Sequence, residues 1–269
     1  MACIKSLFSD SHFAQYLVFQ PERHYSDVDA TMRLWHDMHT GKWWWNTQKD
    51  LLENGAQNAT IIPIIISTDQ TKLTLFKDKV AYPVYLTIGN LPKEIRKKPS
   101  TQSQILLAYL PVEKLTWETN DHARRRMKAN LFHMCMKFLL DPIIEPGLHG
   151  IPIRTGSGQI YNCHPIFATH IGDYPEQCLV TCVKQKKCPT CLAKKEQLGD
   201  WLLDWITSPP SYDLDEVLEA VNEPNHKDWP ARCKKAGINP FLIHIGKICP
   251  MLIHFSLLLL TFYIKCIRV

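Results

Sequence analysis

The run Ile61-Ile62-Pro63-Ile64-Ile65-Ile66 constrains the fold of this chain more than any other segment. It is β-branched and unbroken rather than alternating, the pattern of a strand covered on both faces. Pro63 has no N–H to give to a ladder, so it belongs in the first half of the strand or at a bulge. With 269 residues, 45% apolar and 21% charged, the chain can bury one large or two small cores and is globular rather than disordered.

Two more strands are expected at 80–88 and 105–110, punctuated by Asn90-Leu91-Pro92 and Lys98-Pro99-Ser100. Three successive strands with short connections read as an antiparallel meander. A helix is expected over 124–140, from Met127, Leu131, Met134, Cys135, Phe138 and Leu139, with Asp141-Pro142 as its stop. A turn-rich link over 147–158 leads to a fourth strand at 159–171. The class is α/β, and the order of three strands, helix and strand is the front half of a ribonuclease H-like layout.

Upstream, residues 1–58 read as a polar, aromatic-rich helical lead-in. Ser26-Asp27-Val28-Asp29 is a helix start, with Met32, Leu34, Trp35 and Met38 as a partial apolar stripe. A second short helix is expected near 46–54. Of Trp43, Trp44 and Trp45, two are expected to pack inward and one to cover a neighbouring element, because consecutive side chains diverge. Base stacking is the rival reading. Downstream, Ser208-Pro209-Pro210-Ser211 reads as a linker and 213–222 as an amphipathic helix.

Asp69 closes the first strand and Asp173 the strand after the helix. If those strands are neighbours, two carboxylates lie side by side and repel unless a divalent cation sits between them. Hard oxygen ligands suit Mg²⁺ or Mn²⁺, which activate a water or a DNA 3′-hydroxyl. The competing reading of Asp69 is a turn residue within Ser67-Thr68-Asp69-Gln70-Thr71. Cys188-x-x-Cys191 has the spacing of a zinc knuckle, and Cys178 and Cys182 lie close enough upstream to complete a four-sulfur structural Zn²⁺ site. Lys184, Lys186 and Lys187 would offset its charge, and His164, His170 or His226 are alternative ligands. A redox pair lacks its strand-before, helix-after setting; ordinary free cysteines are the plain alternative. The ten cysteines follow no apolar signal region, which favours a reducing compartment over disulfides.

The formal charge of +5 permits nucleic-acid binding without arguing for it. Local clusters argue more: Arg96, Lys97 and Lys98, and Arg124, Arg125, Arg126 and Lys128 are candidate DNA-phosphate contacts, a solvated face being the alternative. Residues 248–264 are nearly all apolar between Lys247 and Lys265, at the short edge of a bilayer span. A tail anchor competes there with a non-native terminus.

Taken together, these segments resemble the Plavaka-type transposases of fungal mobile elements, in the Kyakuja-Dileera-Zisupton superfamily. The matching blocks are Pro21-Glu22-Arg23-His24-Tyr25, His36-Asp37-Met38-His39-Thr40-Gly41-Lys42-Trp43-Trp44-Trp45, Ser67 to Leu73, Ala81 to Asn90, Leu106 to Pro111, Gly172 to Gln177, and Cys188 to Cys191, across about residues 20–241. The resemblance implies a nuclear DNA strand-cleaving and strand-joining enzyme of the DDE type, acting on transposon ends, with a homo-oligomer as a further partner. It implies Asp69 and Asp173 as the first two acids and a zinc insert after the second; Cys182, Cys188 and Cys191 match that insert best. The expected organisation is a lead-in at 1–58, a partial ribonuclease H-like core at 59–181, a zinc-binding and helical insert at 182–241, and an apolar tail at 242–269. That tail stands where the family carries its third acid, so an inactive, truncated transposase is expected. The alternatives are a non-catalytic zinc-stabilised DNA- or protein-binding remnant and a tail-anchored membrane protein.

Overall fold

The computed structural model describes residues 1–74, 79–193, 196, 210–213, 216–217, 219–220 and 227–240. Its centre is a five-stranded mixed sheet with helices, an α/β arrangement. The strands are β1 (Ala59–Thr68), β2 (Pro83–Ile88), β3 (Ile105–Tyr109), β4 (Ile151–Arg154) and β5 (Ile160–Ile171), in the spatial order β3-β2-β1-β5-β4. β1 and β5 are parallel, and every other neighbouring pair is antiparallel. The meander is therefore present, and β5, the strand expected at 159–171, lies directly beside the first.

β1 is unbroken in its hydrophobicity because its two faces serve two cores. Ile62, Ile64 and Ile66 enter one core with Val84, Leu86, Ile88 and Phe167. Ala59 and Ile61 enter the other with Ile166 and Ala168. Pro63 lies one residue before the antiparallel ladder with β2 begins at Ile64, so its missing N–H breaks no rung there. Its carbonyl accepts from Gly89 N–H at 2.7 Å.

α1 (Ala2–Ser9) and α2 (Lys42–Glu53) serve opposite cores. From α1, Ile4, Leu7 and Phe8 join the first, so the start of the chain belongs to the sheet's own core. From α2, Trp43, Trp44 and Leu51 join the second, against β1. Trp45 turns outward beneath the Arg23 guanidinium, 4.0 Å from its ring centroid. Two tryptophans inward and one covering a neighbour is the expected division.

The helix expected from Ser26 is not there. Asp27 instead holds a tight turn, accepting from Thr31 N–H, Thr31 Oγ1 and Met32 N–H. His24–Tyr25 then pairs with Arg33–Leu34 as a small antiparallel ribbon. Met32, Leu34 and Trp35 are exposed, so their stripe had no core to meet.

α3 (Asp121–Leu140) begins three residues before the expected start. Asn120 caps it by accepting from His122 and Ala123 N–H, and Asp121 sits in the first turn, where negative charge suits the macrodipole. Its buried face is Ala129, Phe132, His133, Met136 and Leu140; Met134 and Phe138 of the expected stripe are exposed. The expected turn-rich link at 147–158 contains the end of α4 (Ile144–His149) and all of β4. Gly150, at φ +73°, makes that sharp passage, and any side chain there would meet Asn162 and His164. α5 (Tyr174–Val180) follows β5 at once, and α6 (Trp229–Lys235) packs Cys233 against Cys182, Val183 and Ile238. Half of the 208–211 linker and half of the 213–222 helix lie outside the described residues, and the 248–264 span wholly so. Among the described residues, no helix is long and apolar enough to cross a membrane.

Candidate carboxylate and metal centre

The parallel ladder between β1 and β5 runs out at Ser67 opposite Ile171. Two residues further on, Asp69 and Asp173 leave neighbouring strands at the same end of the sheet. Both are exposed. Asp173 is also the N-cap of α5, its Oδ1 accepting from Glu176 N–H at 2.9 Å. Its second oxygen remains available to a ligand.

A third acid joins them. Glu176 faces back over the strand tips, where Oε2 accepts from Thr68 Oγ1 at 3.0 Å and Oε1 from the Tyr82 hydroxyl. Burial raises the Glu176 pKa against these two donors, and the negative charges of Asp173 and Asp69 raise it further. Tyr82 stays a neutral donor, its own pKa raised by burial and by Glu176. Behind Thr68 lies His170, with Nε2 3.0 Å from Thr68 Oγ1. Since Thr68 gives its proton to Glu176, His170 must be its donor, which fixes the Nε2–H tautomer. Burial pushes the His170 pKa down to about 4, so the ring is neutral.

The sequence reading missed Glu176, although Asp173-x-x-Glu176 has capping-box spacing. In the folded chain the glutamate bonds Thr68 and Tyr82, which pattern alone would not have given. The close approach depends on Gly172, where a Cβ would lie 2.7 Å from the Glu176 Cβ. Gly172→Ala should therefore lower stability by about 1–3 kcal/mol through overpacking, read as a lower denaturant midpoint at unchanged slope.

Of the three acids, Glu176 shares a cleft with the basic face of α3. A cleft of about 300 Å³ is lined by Tyr82, Glu176, Gln70, Arg125, Lys128 and Phe132. A second, of about 630 Å³, is lined by His122, Arg125, Arg126, Lys184 and Asn239. Glu176 thus stands opposite Arg125 and Lys128, one strand-tip acid beside a cationic helix face.

A family model described as Plavaka transposase matches residues 1–252. The chain belongs to that family. The match starts before residue 20 and runs beyond residue 241, wider at both ends than the resembling blocks of the sequence. No curated protein matches the chain.

Within this Plavaka chain, the four cysteines of the expected zinc site are unequally placed. Cys188 and Cys191 lie within hydrogen-bonding reach, and Thr190 sets its N–H at 3.4 Å and its hydroxyl at 2.7 Å from Cys188 Sγ. Cys178 lies within electrostatic range of Cys188 and bonds the Tyr174 hydroxyl. Cys182 faces elsewhere, 3.3 Å from His133 Nε2 and close to Cys233, and burial drives its thiol pKa well up. His164 bonds the Gly147 carbonyl at 3.0 Å and His170 serves Thr68, while His226 lies outside the described residues. The knuckle pair fits zinc by donor type and by its N–H···S contact; a four-sulfur set including Cys182 is not assembled here.

The basic residues also divide. Arg96 is turned inward, bonding Asp37 at 2.7 Å and the Leu91 carbonyl at 2.7 Å, which removes it from the phosphate contacts. Arg124 bonds Asp121 and the Glu118 carbonyl. Lys97 and Lys98 end the short helical turn Lys93–Arg96, away from the clefts that Arg125, Arg126 and Lys128 line.

Among the described residues, a single set of three potential ligands has its coordinating atoms within 4.8 Å of one another: His24, His36 and His39. In the sequence these histidines stand out only as members of the blocks that resemble the family. Neither the strand-tip acids nor the cysteines draw together that tightly.

Proposed function

We propose that this chain carries the first two metal-binding acids of a transposase centre that cleaves and joins DNA strands, Asp69 and Asp173. One observation carries the reading: the two aspartates follow neighbouring parallel strands at the same sheet end. The order of meander, long helix and parallel strand supports a partial ribonuclease H-like core, with β4 as an added edge. Mg²⁺ or Mn²⁺ bound there would supply Lewis acidity for a phosphodiester and a water or 3′-hydroxyl nucleophile.

The chain's own residues do the rest. Glu176, within electrostatic range of both aspartates, adds a third acidic group that a dication would favour in its charged form, and Tyr82 and Thr68 hold it in place. Arg125 and Lys128, in the cleft that Glu176 lines, and Arg126 in the second cleft offer cationic contacts to DNA phosphates. Such work places the protein in the nucleus. The contact between Cys188 and Cys191 favours a second reading, a zinc-stabilised DNA- or protein-binding module that performs no chemistry.

Asp173→Asn separates the two. Asparagine caps a helix as well as aspartate does, so α5 should stay formed while a charged ligand is lost. Mn²⁺ binding, followed by paramagnetic relaxation of water, should weaken at least tenfold in Asp173→Asn and in Asp69→Asn. Any Mg²⁺- or Mn²⁺-dependent nicking of supercoiled DNA should disappear with it. Unchanged Mn²⁺ binding in both folded variants would remove the catalytic reading and leave the zinc module.

A further inference from the structure

We propose that His24, His36 and His39 form a binding site for one divalent transition-metal ion of the zinc class, with Glu22 orienting His24. The site is independent of the strand-tip acids. Met38, between two of its ligands, sits over Gly89 and Pro63, and Pro63 is six residues from Asp69, about 20 Å along an extended strand.

Three short-range features bring the imidazoles together. The ribbon pairs His24 with Leu34, so His36 emerges two residues beyond its partner strand. A 3-10 turn, Met38–Thr40, then folds His39 back. The Glu22 N–H donates to the His39 carbonyl at 2.9 Å, joining the two ends of the loop. The ring centroids stand 4.8, 5.2 and 5.9 Å apart.

The chemistry of the nitrogens fits. Glu22 Oε2 lies 2.6 Å from His24 Nε2, which places the proton on Nε2 and makes Nδ1 the lone-pair nitrogen, engaged by His36 until an ion replaces that hydrogen bond. His24 Nδ1 in turn lies 2.7 Å from His36 Nε2. Ligand nitrogens around one tetrahedral zinc are separated by roughly 3.3 Å, given bonds near 2.0–2.1 Å, so small ring rotations suffice. A carboxylate on the far nitrogen of a ligating histidine is the usual means of fixing its tautomer and orientation. Imidazole donors select zinc, copper or nickel over magnesium or calcium.

The surroundings are already rigid. Asp37, between two of the ligands, is buried and accepts from Met38 N–H, Lys93 N–H and the Arg96 guanidinium, each at 2.7 Å. His36 N–H donates to Thr40 Oγ1 at 3.1 Å. The nearby cations are engaged on indoles: Arg23 over Trp45 and Arg33 over Trp35, both at 4.0 Å. The ligand loop is thus set by contacts that need no ion. A bound ion would cross-link the two ends of that loop and keep a fourth position for water.

The test uses the full chain with Zn²⁺ content and the Co²⁺ absorption spectrum as readouts, so that nitrogen and sulfur ligation are told apart. Wild type should bind one Co²⁺ whose ligand-field bands come without sulfur charge transfer, and Cys188→Ser/Cys191→Ser should keep it. His36→Asn/His39→Asn should lose that equivalent. His24→Ala, at a half-exposed position suited to a folded variant, should weaken Zn²⁺ binding more than 100-fold, and Glu22→Gln about 10–100-fold. Zn²⁺ stoichiometry and affinity unchanged in His24→Ala, or Co²⁺ bound only with sulfur charge transfer, would overturn the proposal.

Discussion

Asp37→Ala should cost about 3–5 kcal/mol of folding stability, the range for removing one partner of a buried ion pair. The Asp37 side chain is 4% exposed and its Arg96 partner 16%. Alanine would leave the guanidinium without its counter-charge and strand the Met38 and Lys93 N–H groups. The same carboxylate caps the Met38–Thr40 turn, so the loss extends to the loop that presents His36 and His39. Denaturant unfolding followed by tryptophan fluorescence reads this directly, since Trp43 and Trp44 lie in the adjoining core. A change under about 1 kcal/mol would mean that the pair is not formed. Asp37→Asn should lose less, because the amide oxygen still caps the turn.

Acid should destabilise this protein through His170. Its pKa lies near 4 in the folded chain, against 6.5 when exposed, because burial disfavours the imidazolium. Between those values the unfolded chain takes up a proton that the native chain refuses, so stability falls as pH drops from about 6.5 towards 4. The full loss is about 3 kcal/mol at 1.36 kcal/mol per unit. Glu176 acts in the opposite sense: its raised pKa costs stability as pH rises through the carboxylate range. His170→Gln keeps a donor for Thr68 and removes the titration. Its stability should vary less with pH between 6.5 and 4 than that of wild type, and parallel curves would show that His170 is solvated.

Local pattern made the centre of the fold legible. The run 61–66 could only be a strand between two covered faces, and the meander followed from strand spacing and Pro/Gly punctuation. The tips at Asp69 and Asp173 followed from where each apolar run stopped. Tryptophan burial at 43–45 was equally local, since side-chain divergence on a helix forces the division. Where the reading failed, partners were distant or absent. Met32, Leu34 and Trp35 had helix-like spacing, yet Asp27 captured the backbone for a turn before a helix could start. Arg96 looked like part of a basic patch because Asp37, its partner, is 59 residues away in sequence.

What the sequence by itself determined, then, is which residues must be strand, which acids end the strands, and where thiols cluster. These depend on side-chain periodicity and the chain's stiffness over a few residues. Only the tertiary structure decided that Glu176 bonds Thr68 and Tyr82 beside both aspartates, that Cys182 turns towards His133, and that three histidines share one loop. Those outcomes come from contacts across tens of residues, where the competition for buried hydrogen bonds is settled by the whole packed sheet.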